Sequence, residues 1–260
     1  MKMQTQINPT KTRLEIQFDG ANYHGWQFQT NAVSIQELIN KALVKIYKTK
    51  VTTMGSGRTD AGVHALKYYV FFKAPFFIEA NALVRGLNTH LPADIRVLAA
   101  RELTEDVHAT IDAKKREYRY FFTNQAIPTA FQAKYIANIS YTLDFNAMKQ
   151  ACQMFVGEYD FANFQTLGSD VRTTTREIFE CELLEHTTNH HPLLPDHYYI
   201  RIVGQGFLKQ MVRLMVGAIW DVGRAKITLG EIEQALQDPT LGHIAPVAPA
   251  CGLYKYDITY

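Results

Sequence analysis

The stretch LEIQFDG (14–20), followed by SIQELINKALVKIY (34–47), decides how the chain folds. In the first piece Leu14, Ile16 and Phe18 alternate with Glu15, Gln17 and Asp19. This period of two predicts a half-buried strand, ended by Gly20. In the second, Ile35, Leu38, Ile39, Ala42, Leu43, Ile46 and Tyr47 recur at helical spacing, and Ser34 with Glu37 forms a capping-box pattern at the start. Working outward, strands are predicted over 51–54 and 68–72, a helix over 79–87 and a strand over 95–102. The order is β-α-β-β-α-β.

The second half repeats the pattern. Strands are predicted over 116–122, 176–184, 198–203 and 253–259, and helices over 145–156, 207–222 and 228–237, the last with Thr228 and Glu231 as a second capping box. The polar stretch His186–Asp196 reads as a long hairpin loop. Two βαββαβ units in series predict an α+β chain of two ferredoxin-like halves, 1–106 and 107–260, with sheets able to join. That fold hosts many functions, so function has to be argued from a site.

The bulk numbers set bounds. The chain has 260 residues and is 47% hydrophobic, enough for a sizeable core. Its formal net charge is only +2, so binding to nucleic acid would require clustered rather than abundant positive charge. The three cysteines, Cys152, Cys181 and Cys251, are odd in number and lack CxxC spacing, which argues against a disulfide framework or zinc site and fits a reducing cytoplasm. No metal is expected: the nine histidines show no ligand spacing, and His190 and His191 read as surface residues in a polar loop. No phosphate-binding glycine motif follows a strand, so no nucleotide cofactor is expected. The polar stretch 1–13 lacks an apolar signal segment, and no apolar run reaches the ~18 residues of a membrane span. These features predict a soluble intracellular protein.

Three clusters carry candidate chemistry. In GSGRTDAGVH (55–64), glycines permit close approaches around Asp60, and Arg58 can hold a phosphate or keep a carboxylate ionised. The competing reading is a glycine-rich turn in which Asp60 makes an Asx-turn. In FLKQMVRLMVGAIW (207–220), Arg213 stands in a nearly all-apolar helix, with Lys209 one turn earlier on the same face. Arg213 either meets a buried anion, for which Asp60 is the best candidate, or extends to solvent together with Lys209. In KKREYRY (114–120), Arg116, Tyr118 and Tyr120 share a strand face, which suits phosphate contact and base stacking or an ordinary aromatic core. Arg172 and Arg176 extend this basic surface or simply face water.

On these residues the chain resembles the TruA family of tRNA pseudouridine synthases. The matching pieces are FDGANYHGWQ (18–27), SIQELINKAL (34–43), GRTDAGVHA (57–65), LPADIRV (91–97), KREYRY (115–120), GEYDFANF (157–164), FLKQMVRLMVG (207–217) and GLY (252–254). The resemblance implies a continuous central sheet, a homodimer, and uridines 38, 39 and 40 of tRNA as substrates. It implies that Asp60 is the catalytic aspartate, that Arg58 helps displace the target uridine, that Tyr118 stacks on it and that Arg213 pairs with Asp60. Arg116, Arg172, Arg176 and Lys209 are the expected RNA contacts. Phe28 and Thr110 stand where the family usually carries arginine, Lys67-Tyr68 where it carries Gly-Gln, and Lys255 where it carries leucine. When a glycosidic bond is broken and remade while the base stays bound, one carboxylate can suffice and no water need be activated. The rival readings are a non-catalytic RNA-binding module and an N-glycoside hydrolase that would release free uracil.

Overall fold

The structure, a computed structural model, describes residues 10–104, 107–166, 168, 171–188 and 196–260. Most of the polar stretch read as a hairpin loop, including His190 and His191, lies outside the described residues. The architecture is α+β. Among the described residues there are ten strands, arranged in mainly antiparallel pairings, and five α-helices. Two compact units contain 1–113 with Tyr260, and 114–259. Residues 107–113 thus group with the first unit, although the sequence pattern sets its boundary after 106.

The first unit runs β1 (Thr10–Phe18), α1 (Ile35–Tyr47), β2 (Thr53–Gly55), β3 (His64–Ala74), α2 (Ala80–His90) and β4 (Ile95–Leu103). Its strands are ordered β4-β1-β3-β2 with every pairing antiparallel, the ferredoxin-like order. The alternation of β1 sends Leu14, Ile16 and Phe18 into one core with Ile35, Ile39 and Leu43 of α1 and Leu83 and Leu87 of α2. Helix α1 starts at Ser34, whose hydroxyl accepts from the Glu37 amide at 3.3 Å, while the Glu37 carboxylate pairs with Lys41 at 2.6 Å. Helix α2 is capped by Glu79, whose carboxylate accepts from the amides of Asn81 and Ala82 and is held below its usual pKa by those bonds.

The second unit runs β5 (Lys115–Thr123), β6 (Ala137–Asn138), α3 (Phe145–Met154), β7 (Gly157–Asp160), β8 (Thr175–His186), β9 (His197–Gly204), α4 (Met211–Gly223), α5 (Leu229–Gln237) and β10 (Leu253–Thr259). The order β10-β5-β9-β8 repeats that of the first unit; β7 is added beside β8, and the two-residue β6 lies parallel to the end of β5. Thr228 and Glu231 close a full capping box on α5.

One helix differs from its prediction. The apolar run 207–222 predicts a helix from Phe207, but α4 begins at Met211, because Gln210 adopts the left-handed conformation at φ 59°. Lys209 therefore precedes the helix and does not share a face with Arg213 one turn on. The short strands β6 and β7 carry no clear alternation and are absent from the sequence reading.

Candidate active site

The segment between β2 and β3 is shaped by backbone contacts. Ser56 is buried and pins its start: its amide donates to the Tyr69 carbonyl at 2.9 Å, and its hydroxyl accepts from the Tyr69 amide at 3.1 Å. Gly57 has φ 126°, a conformation glycine alone adopts readily, and its carbonyl accepts from the Tyr68 hydroxyl. A turn follows in which the Val63 amide donates to the Asp60 carbonyl at 3.2 Å. Gly62, its third residue, has φ 78°, as a type II turn requires. Asp60 thus opens a tight turn with its side chain half-buried, and Arg58, two residues earlier, is exposed.

A second segment, 19–26, braces this loop. The Trp26 amide donates to the Thr59 carbonyl at 3.4 Å and the Gly62 amide to the Tyr23 carbonyl at 3.1 Å. The two backbones approach so closely that side chains are excluded. A Cβ on Gly20 would stand 1.9 Å from the Val63 carbonyl oxygen, and one on Gly25, at φ 81°, would stand 2.1 Å from that of Thr59. Farther out, the Tyr23 hydroxyl donates to Asp94 at 2.5 Å; burial first, then Asp94, raises the Tyr23 pKa. Trp26 and Tyr68 pack with ring centroids 4.6 Å apart. Tyr68, a departure from the family pattern, therefore supports the Asp60 loop through both its ring and its hydroxyl. Sequence reasoning missed these supporting roles of Gly20, Tyr23, Gly25, Trp26 and Tyr68. The clustered motif FDGANYHGWQ was the available signal, but its contacts join positions about 40 residues apart.

In the second unit, Tyr118 is buried on β5, edge-on to Phe207 with centroids 5.0 Å apart. Tyr120, on the same face, is core: it packs against Trp220 at 5.3 Å, and its hydroxyl donates to the Pro249 carbonyl at 2.8 Å. Arg213 is half-buried, and its Nε donates to the Ala248 carbonyl at 2.7 Å while the Ala248 amide returns a bond to the Arg213 carbonyl at 3.1 Å. The guanidinium is thus oriented by the 245–248 segment rather than extended along the helix edge. That segment lies close because Gly217 has no side chain; a Cβ there would stand 1.9 Å from the Pro246 oxygen.

Arg116 and Arg176 meet around the 205–206 turn. Arg116 donates to the Gln205 carbonyl and Arg176 to the Thr173 carbonyl at 2.8 Å. Burial, and secondarily the charge of Arg116, lowers the Arg176 pKa. Arg172 and Lys209 are exposed. Among the described residues, no group of three or more His, Cys, Asp or Glu side chains is placed to hold a metal ion, and no helix is long and apolar enough to cross a membrane.

The structure thus holds a carboxylate on a glycine-braced turn in the first unit and, within the second, two neighbouring guanidiniums. A family model described as tRNA pseudouridine synthase matches residues 15–118 and 151–260. The chain is 36% identical over 245 residues to tRNA pseudouridine synthase A of Thermoanaerobacter sp. (strain X514), covering 94% of this chain and 97% of that protein. It is 36% identical over 250 residues to the protein of the same name from Exiguobacterium sp. (strain ATCC BAA-1283 / AT1b), covering 96% and 98%. The Limosilactobacillus fermentum protein of that name is 34% identical over 251 residues, covering 95% of each chain. The chain belongs to the tRNA pseudouridine synthase family.

Proposed function

We propose that the chain isomerises uridine to pseudouridine in the anticodon arm of tRNA, at positions 38, 39 and 40, with Asp60 as the catalytic carboxylate. The observation that carries this reading is the Asp60 turn, whose shape is imposed by Gly62 within and by Gly20 and Gly25 opposite. The target uridine is flipped from its stack, at a cost of a few kcal/mol (order of magnitude). Arg58 fills the space it leaves and Tyr118 supports the base. Asp60 acts on the sugar or the uracil while the C1′–N1 bond breaks; the bond re-forms to C5, which loses its proton, and N1 gains one, so the atoms balance. The substrate's own base is the acceptor, so the reaction requires no cofactor. Incubation with unmodified tRNA, followed by pseudouridine mapping and a free-base assay, tests the reading.

Arg213, in this proposal, pairs with Asp60 and keeps it ionised, as the resemblance implies. Its fixed orientation on Ala248 supports such a role. Arg213→Lys keeps a charge but loses the planar fork, so turnover falls strongly while the chain stays folded. Arg213→Met leaves a carboxylate unpaired and is expected to destabilise more than Arg213→Met combined with Asp60→Asn. Unfolding free energies in a double-mutant cycle measure this; additivity within roughly 0.5 kcal/mol would separate the two residues.

The RNA contacts are assigned to Arg116, Arg172, Arg176 and Lys209, and we propose that the protein works as a cytoplasmic homodimer. A monomer mass in light scattering at working concentration would contradict the dimer. Phe28 is 52% exposed, so an arginine can be placed there without disturbing the core. Phe28→Arg and Thr110→Arg are expected to tighten tRNA binding, each steepening the salt dependence by about one unit of slope. Unchanged affinity in both variants and in their combination would mean that neither position touches RNA.

A further inference from the structure

His64 is the first residue of β3 and is 1% exposed, between the buried apolar side chains of Val63 and Ala65. A polar ring costs stability in such surroundings unless its nitrogens are hydrogen-bonded. The Gly20 amide donates to His64 Nδ1 at 3.0 Å, and an Asp19 carboxylate oxygen stands 3.0 Å from the same nitrogen. That oxygen also accepts from the Ala21 amide at 2.9 Å, so it is placed by its own turn. One nitrogen cannot serve both neighbours at once. Without a proton Nδ1 accepts from Gly20; with one it donates to Asp19. In either form the ring joins the far end of the Asp60 loop to residues 19–20, 44 positions away in the chain.

What this tie holds is the turn that carries Asp60. Val63, next to His64 in the chain, donates its amide to the Asp60 carbonyl at 3.2 Å. Its own carbonyl lies so close to Gly20 that a Cβ there would stand 1.9 Å away. The brace by residues 19–26 thus grips the loop on both sides of Asp60. Before it, the Trp26 amide reaches the Thr59 carbonyl; after it, the Gly62 amide reaches the Tyr23 carbonyl. Those two are backbone bonds and do not depend on the type of side chain. The bond at His64 does, because it requires a polar atom at the position of Nδ1.

We infer that His64 is a positioning residue for Asp60: its Nδ1, held against residues 19–20, sets the place of Val63 and through it the direction in which the Asp60 carboxylate is presented to the uridine. The inference rests on the reading of Asp60 as the catalytic carboxylate. The buried ring does not meet the substrate, so its loss slows the chemical step and leaves RNA affinity intact. A reacting group misplaced by about 1 Å costs on the order of 10²-fold in rate.

His64→Asn, His64→Gln and His64→Leu test it by single-turnover pseudouridine formation and equilibrium binding on an unmodified tRNA transcript, with denaturation curves giving the folded fraction. Asparagine places its amide at the position of Nδ1, with an oxygen for Gly20 or an NH₂ for Asp19. Glutamine reaches instead to the position of Nε2, and leucine offers no polar atom. His64→Leu and His64→Gln are expected to lower the rate per folded molecule on the order of 10²-fold, while His64→Asn stays within a few-fold and tRNA affinity holds in all three. A full rate per folded molecule in His64→Leu would overturn the inference and leave His64 a core residue. So would His64→Asn no faster than His64→Gln, or affinity lost in step with rate. If His64→Leu does not fold, the comparison of His64→Asn with His64→Gln decides alone. Two controls separate this inference from its parent. No product from the unaltered protein, or product from Asp60→Asn, defeats the reading of Asp60; an inactive Asp60→Asn beside a fully active His64→Leu defeats only the positioning role.

Discussion

Asp60→Asn is expected to lower pseudouridine formation by at least about 10⁴-fold, the scale on which a catalytic nucleophile is lost, while tRNA binding stays within a few-fold. The substitution preserves shape. The turn is closed by the Asp60 backbone carbonyl, which asparagine also supplies, so the loop keeps its conformation. What disappears is the charged oxygen able to attack the sugar or remove a proton. Single-turnover assays at saturating enzyme separate chemistry from binding. Retained turnover would remove Asp60 from the reaction; lost binding would make it an RNA contact.

Gly25→Ala is expected to cost about 2–5 kcal/mol, the sum of left-handed strain and overpacking, and to depress turnover well beyond what the folded fraction accounts for. Gly25 sits at φ 81°, and its new Cβ would meet the Thr59 carbonyl oxygen at 2.1 Å. That atom belongs to the backbone immediately before Asp60, so relief of the clash must move the Asp60 turn. Gly242 provides the control. It has φ 78°, but a Cβ there would meet nothing within 4 Å. Gly242→Ala should therefore show only the backbone strain, of order 1–2 kcal/mol, with turnover per folded molecule intact. Equal effects of the two substitutions on denaturation midpoint and turnover would mean that the Gly25–Thr59 contact does not shape the site.

The elements legible in the sequence are those with strong local signals. β1 shows in the alternation from Leu14 to Phe18, α1 and α5 in their apolar faces and in the caps at Ser34 and Thr228, and β10 spans the predicted 253–259. The start of α4 was not legible. Apolar residues continue through Phe207 and Leu208, no glycine or proline interrupts 207–211, and the left-handed Gln210 follows from tertiary packing. β7 was missed because Gly157–Asp160 is short and polar and owes its strand conformation to pairing with β8.

The site divides in the same way. Asp60 and Arg58 stand out locally, because glycines crowd around a carboxylate and a guanidinium. The brace behind them does not, since the need for glycine at positions 20 and 25 arises only when residues 59 and 63 arrive from the other side of the fold. In KKREYRY the pattern alone could not separate Tyr118 from Tyr120. The structure makes Tyr120 core, with Trp220 and Pro249 as partners, and seats Tyr118 against Phe207.

The most direct test of the central claim is the mapping of pseudouridine in an unmodified tRNA transcript after incubation with the purified chain and no added metal or cofactor. The account predicts pseudouridine at positions 38, 39 or 40, no free uracil, and no product with Asp60→Asn. Bound but unmodified tRNA, release of free uracil, or equal product with Asp60→Asn would contradict it.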